Sequence, residues 1–303
     1  MAPVSALQSL LDEAVLLIRA GGMRLSCTRE LPNGIQATFV SPEGAACRFN
    51  FYYSDRKGFS AIPAGGDPAA SGRVAAILGG SRASDGAGSR IGSDEAGKGD
   101  YMGPLTVAAV FADPASASDL RTLGAVDSKR LSNAVLRKIA GEIRRASPGR
   151  FAVVSIPPEE YNSRMESLKV KGKNSMNLLA DCHAEAIGRL LSSGLDPDLV
   201  VIDRFCQPSR MEPLLPAGRY RLEMPVGGES DPVVAAASIL ARDAYLEGLD
   251  VISTRWKVGA VAGAGSPTDR VAESFVSLHG AGVLRFVAKL HFRNTVKVLS
   301  QDT

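Results

Sequence analysis

The sequence predicts an α/β chain of two units, a small α+β unit at the amino end followed by a larger unit of mixed sheet and helices. Three observations carry this. Short strands separated by turn residues fill residues 1–80, and the stretch SRASDGAGSR at 81–90, which lacks any large apolar residue, reads as a linker. Beyond it, over 91–303, strands and helices alternate at greater length.

In the smaller unit Leu7, Leu10, Leu11, Val15, Leu16 and Ile18 recur at helical spacing and predict an amphipathic opening helix. Strands are expected at 23–27, 35–40, 45–53 and 58–62, separated by Pro32-Asn33-Gly34, Ser41-Pro42-Glu43-Gly44 and Ser54-Asp55. A helix at 68–78 closes the unit. Such short turns with alternating polar positions fit an antiparallel sheet with one face open.

In the larger unit a pair of strands, 90–96 and 105–111, forms a hairpin around a glycine-rich turn, and a third follows at 151–156 after a helix at 133–146. A long helix is expected at 177–191, then a short buried strand, LVVID at 199–203, ending on a carboxylate. A strand at 219–226 precedes a helix at 233–247 whose start, VVAAASILA, is small and apolar enough to lie close on a sheet. Residues 271–299 read as mostly helical, and there is no internal repeat.

With 303 residues, 45% of them hydrophobic and 22% charged, the chain is long enough for two units and is not expected to be disordered. No run approaches the roughly 18 apolar residues of a membrane span, and the start lacks a signal-peptide pattern, so no membrane association and a cytoplasmic location are expected. The four cysteines, Cys27, Cys47, Cys182 and Cys206, are scattered without CxxC spacing and read as reduced thiols. A net charge of +3 permits nucleic-acid binding without arguing for it.

The chemistry concentrates in GSDEAGKGDYMGP at 92–104. Adjacent strand residues point to opposite faces, so a buried Asp94–Glu95 pair at a strand end is a liability unless the strand bends there and a cation neutralises both. Magnesium takes hard oxygen ligands beside phosphate, and two such ions suit phosphodiester chemistry. Gly97, Gly99 and Gly103 allow a close backbone approach to a ligand. Asp203 stands at the carboxyl end of a buried strand, where open α/β sheets place their sites. Glu229 and Asp231 precede a helix, where either a ligand role or a helix cap is the reading.

In VDSKRLS at 126–132, Ser128 and Lys129 lie just ahead of a helix as candidate phosphate contacts, against the alternative of a capping Ser132 or Asp127 with a solvated lysine. Lys169, Lys171 and Lys173 would share one side of an extended segment laid along a nucleic-acid backbone, although a solvated loop is the more usual meaning of such a run. Asn174 and Asn177 add amides that could reach phosphate or sugar. His183 reads as a core or capping residue.

Together GSDEAGKGDYMGP, VDSKRLS, the block from Tyr161-Asn162 into NLLADCHAEAI, VVID, GES with VVAAASILAR, and KLHFRNTVK resemble the type 2 ribonucleases H, and within them the ribonuclease HIII group. The resemblance runs from about residue 90 to 297. It implies an RNase H-like fold, a mixed five-stranded sheet with helices, preceded by a small α+β domain resembling the TATA-box-binding protein that serves in substrate binding. The implied activity is endonucleolytic cleavage of the RNA strand of RNA/DNA hybrids with Mg2+ or Mn2+, leaving 5′-phosphate and 3′-hydroxyl ends. Carried over, Asp94, Glu95, Asp203 and Glu229 are the catalytic metal ligands, with Asp231 the alternative to Glu229. Gly97, Lys98 and Gly99 are the turn that touches the hybrid at its 2′-hydroxyls, and Ser128, Lys129 and Asn174 are backbone contacts. A monomer is expected.

The Gly-Lys-Gly turn equally resembles the ribonuclease HII choice, which leaves cleavage at single embedded ribonucleotides open; the GDYMGP continuation, Glu229 and the front domain favour HIII. A noncatalytic hybrid-binding protein is the rival of another class, and a resolvase- or transposase-like nuclease is a further one.

Overall fold

A computed structural model describes residues 4–54, 58–82, 88–123 and 131–300. The chain divides into two compact units, Met1–Gly86 and Ala87–Thr303.

In the first unit, helix α1 (Val4–Ala20) leads into strands β1 (Arg24–Leu31), β2 (Gly34–Val40), β3 (Ala46–Ser54) and β4 (Gly58–Gly66), and helix α2 (Pro68–Arg82) follows. The strands form an antiparallel sheet in the order β1-β2-β3-β4. Alternation sets its faces: Ile35, Ala37 and Phe39 are buried with Phe49 and Phe51, under Leu11, Ile18 and Val74 of the two helices. The intervening Gln36, Thr38 and Val40 project to the other face. Helix α2 continues to Arg82 and the next strand starts at Arg90, so the segment between the units is shorter than the expected linker; residues 83–87 lie outside the described residues.

The second unit is built on β5 (Arg90–Ala96), β6 (Leu105–Ala112), β7 (Phe151–Ile156), β8 (Leu199–Ile202) and β9 (Arg221–Glu223), in the spatial order β7-β6-β5-β8-β9. β5, β6 and β7 are antiparallel, while β8 and β9 run parallel to β5, giving the mixed five-stranded sheet. All eight residues of β6, LTVAAVFA, are buried, as a strand covered on both faces requires.

Helix α6 (Ser175–Ser192) covers one face with α5 (Pro158–Val170) beside it. The other face is covered by α8 (Pro232–Trp256), backed by α3 (Pro114–Thr122), α4 (Asn133–Ala146) and α9 (Ser266–His279). Four-residue α7 (Pro208–Met211) and the closing α10 (Arg293–Leu299) complete the helices of the described residues. Helix α8 lies close on β5 because Ala235, Ala236 and Ala237 are small and Gly92 has no side chain. A Cβ at Gly92 would come 2.4 Å from the Val234 nitrogen.

Several expectations change. α8 extends well beyond residue 247, β9 is confined to three residues, and α3 and α5 were not foreseen. Of the two readings of the lysine run the solvated one holds and the extended one does not: Lys169 is in the last turn of α5, Lys171 caps it, Gly172 turns at φ +67, and all three lysines are exposed. Helix-forming residues before the run outweigh its alternation. No helix is long and apolar enough to cross a membrane among the described residues.

Candidate active site

The carboxyl ends of β5 and β8 lie side by side, with Ser93 paired to Ile202, so the residues just beyond them converge. Asp94 is paired across β5–β6 with Ala108, which belongs to the core under α8, and Glu95 with Val107, which belongs to the core under α6. The two carboxylates therefore straddle the strand. Asp203 follows β8, its backbone nitrogen bonded to the Ser93 carbonyl at 3.3 Å, and its Oδ1 accepts from the Gly228 nitrogen at 2.7 Å. That bond ties Asp203 to the short 3-10 turn Gly228–Ser230 carrying Glu229.

Asp94, Glu95, Asp203 and Glu229 all open on one cavity of about 460 Å³. Gly97, Lys98, Gly99 and Asp100 form one wall, and Asn133, Ser238 and Arg242 stand on others. Gly97 adopts φ +83, and a Cβ there would meet the Pro104 carbonyl at 2.2 Å, so only glycine turns the chain here. Lys98 and Gly99 are exposed.

Asp231 is committed elsewhere. Its Oδ1 caps α8 by accepting from Val233 at 2.8 Å, and its Oδ2 pairs with buried Arg90 at 2.9 Å. It is not among the cavity walls, whereas Glu229 is. Asn174 is the exposed cap of α6, accepting from the Met176 nitrogen while Asn177 accepts from its own nitrogen. It too lies outside the cavity walls. Ser132 caps α4. Ser128 and Lys129, like Asp127, lie outside the described residues.

His183 is a participant that the sequence did not mark. It is fully buried on α6, its Nε2 3.2 Å from Glu95 Oε2 and its Nδ1 2.8 Å from Ser93 Oγ. The Ser93 hydroxyl donates to the Ala108 carbonyl, so it must accept from Nδ1. The Nε2 side of the ring faces a carboxylate oxygen of Glu95, so both ring nitrogens meet hydrogen-bond partners. Phe205 stacks on the imidazole with centroids 4.7 Å apart. The signal was available in the helix: His183 shares the apolar stripe of Leu179, Ile187 and Leu190, where a histidine must find a polar partner in the core.

These surroundings split the two neighbouring acids. Burial, joined by the charge of Glu95, pushes Asp94 up to about 7 against the Ser238 hydroxyl and the Glu95 amide. Burial also acts to raise Glu95, but the hydrogen bond and charge of His183 and those of Lys98 outweigh it and hold Glu95 down at about 2. Lys98 Nζ lies 2.6 Å from Glu95 Oε1.

Among the described residues no three His, Cys, Asp or Glu side chains are drawn tightly enough to hold a metal ion as they stand. The reason is visible in the bonds: both Glu95 oxygens and one Asp203 oxygen rest on protein donors. The donor set itself suits a hard divalent cation, being four carboxylates around one cavity, with Asp94 raised by burial and by the charge of Glu95 beside it.

A model of the family described as Ribonuclease HII matches residues 91–295. Ribonuclease HIII of Streptococcus pyogenes is 35% identical over 212 residues, spanning 68% of this chain and 69% of that protein. Among solved structures, Bst-RNase HIII in complex with Mn2+ is similar with a TM-score of 0.68 at 28% identity, covering 97% of this chain and 96% of that one. The RNase HII of Archaeoglobus fulgidus, solved with PCNA, is 30% identical with a TM-score of 0.53, covering 63% of this chain and 88% of that one.

Proposed function

Because this chain belongs to the ribonuclease HII family, as one of its ribonucleases HIII and hence an endoribonuclease of the RNase H type, we propose that it cuts the RNA strand of RNA/DNA hybrids in its four-carboxylate cavity, leaving 5′-phosphate and 3′-hydroxyl ends. The observation that carries this is the convergence of Asp94, Glu95, Asp203 and Glu229 on one cavity beside an exposed glycine turn. These four acids are the residues that would hold two Mg2+ or Mn2+ ions, and the Mn2+ complex of Bst-RNase HIII supports that choice. Such ions, when bound, supply Lewis acidity to the attacking water and to the departing 3′ oxygen.

The chain's own residues do the rest. His183 fixes one oxygen of Glu95, and the Gly228 amide fixes one of Asp203. The Gly97–Gly99 turn, without bulk at Gly97 and Gly99, brings backbone to the minor-groove edge where 2′-hydroxyls distinguish RNA from DNA. Lys98 offers its exposed ammonium to phosphate, and Ser128, Lys129 and Asn174 are assigned further backbone contacts.

Cleavage of three end-labelled duplexes in Mg2+ and in Mn2+ tests the reading: a long RNA/DNA hybrid, DNA with one embedded ribonucleotide, and plain DNA. Cutting of the hybrid alone, at several positions along its RNA, is expected. Efficient cutting beside the single ribonucleotide would move the assignment to HII-like junction cleavage, and no metal-dependent cutting of any duplex would leave a hybrid-binding protein.

The front unit, assigned here to residues 1–80, is proposed to hold the hybrid through its open sheet face. Register places Arg24 beside Val40, Arg29 beside Gln36 and Asn50, and Arg48 beside Thr38, all on that face. Gln36 donates to Asn50 at 2.8 Å, and Arg24, Arg29 and Arg48 are exposed. Such a surface contacts a phosphate backbone without reading bases. Replacing Arg29 and Arg48 together by Ala should raise the KM for hybrid, lower the salt dependence of binding by about two in log–log slope, and leave kcat at saturation unchanged. Unaltered affinity and slope would reject this role.

A further inference from the structure

Lys289 is fully buried, yet no carboxylate among the described residues pairs with it. Its Nζ instead donates to three backbone carbonyls of one loop, at 2.7 Å to Gly103, 2.9 Å to Asp100 and 3.5 Å to Met102. The Tyr161 ring lies 5.8 Å from the ammonium. Burial pushes the lysine down to about 7 against the charge of Asp100. An unbranched apolar side chain would fill this space without that cost. What the ammonium adds is a point charge on which three carbonyls converge, the arrangement a bound cation would otherwise impose.

The loop so gathered continues directly from the Gly97–Gly99 turn. Lys98 and Gly99 are exposed, so apart from the Lys98–Glu95 ion pair and the buried seat of Gly97 the turn's position comes from its flanks: β5 on one side and residues 100–103 on the other. The second flank is tied to residues 287–289 throughout, by Lys289 N to the Tyr101 carbonyl at 2.9 Å, Gly103 N to the Val287 carbonyl at 3.1 Å, and an isolated bridge between Met102 and Ala288. Asn162 of α5 holds that segment in turn, donating to the carbonyls of Arg285 and Ala288 and accepting from the Leu290 nitrogen.

We infer that Lys289 is a positioning residue for hybrid recognition, a built-in cation that gathers the carbonyls of residues 100–103 and thereby sets the Gly97–Gly99 turn against the RNA strand. The inference rests on the turn's proposed role in reading 2′-hydroxyls.

The test compares wild type, Lys289→Met and Lys289→Arg for binding to an RNA/DNA hybrid and to a DNA duplex of the same sequence, without divalent ions, with folding followed by circular dichroism. Wild type is expected to prefer the hybrid. Lys289→Met should fold, keep its affinity for DNA and lose about tenfold in preference for the hybrid, the scale of a misplaced recognition element. Lys289→Arg, which keeps the charge, should restore some of it. A Lys289→Met protein that melts earlier but keeps the wild-type preference overturns the role of Lys289 alone. A wild type without preference overturns the reading of the turn and this inference with it. Failure of both variants to fold would make Lys289 a requirement of the fold and overturn the specific role.

Discussion

Asp94→Asn is expected to reduce hybrid cleavage by on the order of a thousandfold or more while leaving hybrid binding in place. Asn keeps the shape and can still accept from the Glu95 amide, as Asp94 Oδ1 does at 2.8 Å. It cannot supply the negative charge that a divalent cation needs. The same substitution should stabilise the metal-free protein at alkaline pH. Asp94 rises from 3.8 to about 7 on folding, chiefly through burial and then through the charge of Glu95. Between those values the folded chain binds more protons than the unfolded one, so stability falls as pH rises, and the full cost of ionised Asp94 is present above about pH 7. That rise corresponds to at most about 4 kcal/mol, which Asn removes. Thermal melts at pH 8 without divalent ions should place the variant above wild type, and added Mg2+ should raise the melting temperature of wild type but not of Asp94→Asn. Near-normal turnover by the variant would remove Asp94 from the reaction.

The features of this arrangement legible in the sequence are those written in contiguous residues. The turn at 97–99 follows from its glycines, and the buried β8 ending at Asp203 follows from its apolar run. The close seat of α8 follows from its alanines, although the matching gap at Gly92 is visible only once the two are packed. Glu229 and Asp231 could not be separated along the chain, because both stand one turn or less before a helix. Three-dimensional partners separate them: Arg90, 141 positions away, takes Asp231 into a buried pair, and the Asp203–Gly228 bond turns Glu229 toward the cavity. Lys289 was legible only as a member of a resembling block, since its three acceptors are backbone atoms that leave no mark on composition. In the lysine run the solvated reading holds over the extended one, its alternation being local while α5 decides the conformation.

Replacing His183 by Ala should cost about 3 kcal/mol of stability at neutral pH, the scale for removing one partner of a buried ion pair, and should lower cleavage about 10- to 100-fold, as loss of an outer-shell partner of a ligating carboxylate does. Both effects pass through Glu95. With His183 absent, the Glu95 carboxylate keeps Lys98 at its Oε1 but loses its bond at Oε2, and the Ser93 hydroxyl loses the donor it accepts from. The pH dependence gives this a sign. Glu95 is depressed on folding from 4.5 to about 2, with His183 the foremost of the lowering influences, so its contribution is fully present above about pH 4.5 and is lost as pH falls toward 2. The gap in stability between wild type and His183→Ala should therefore narrow as pH falls from about 4.5 to 3, as read from denaturant unfolding at each pH. A gap that stays the same at pH 3 would mean that the imidazole acts through packing against Phe205, and not through its charge on Glu95. His183→Gln sharpens the comparison, because its single amide nitrogen cannot stand at both ring-nitrogen positions; it should recover some of the stability at pH 7 while leaving cleavage well below wild type.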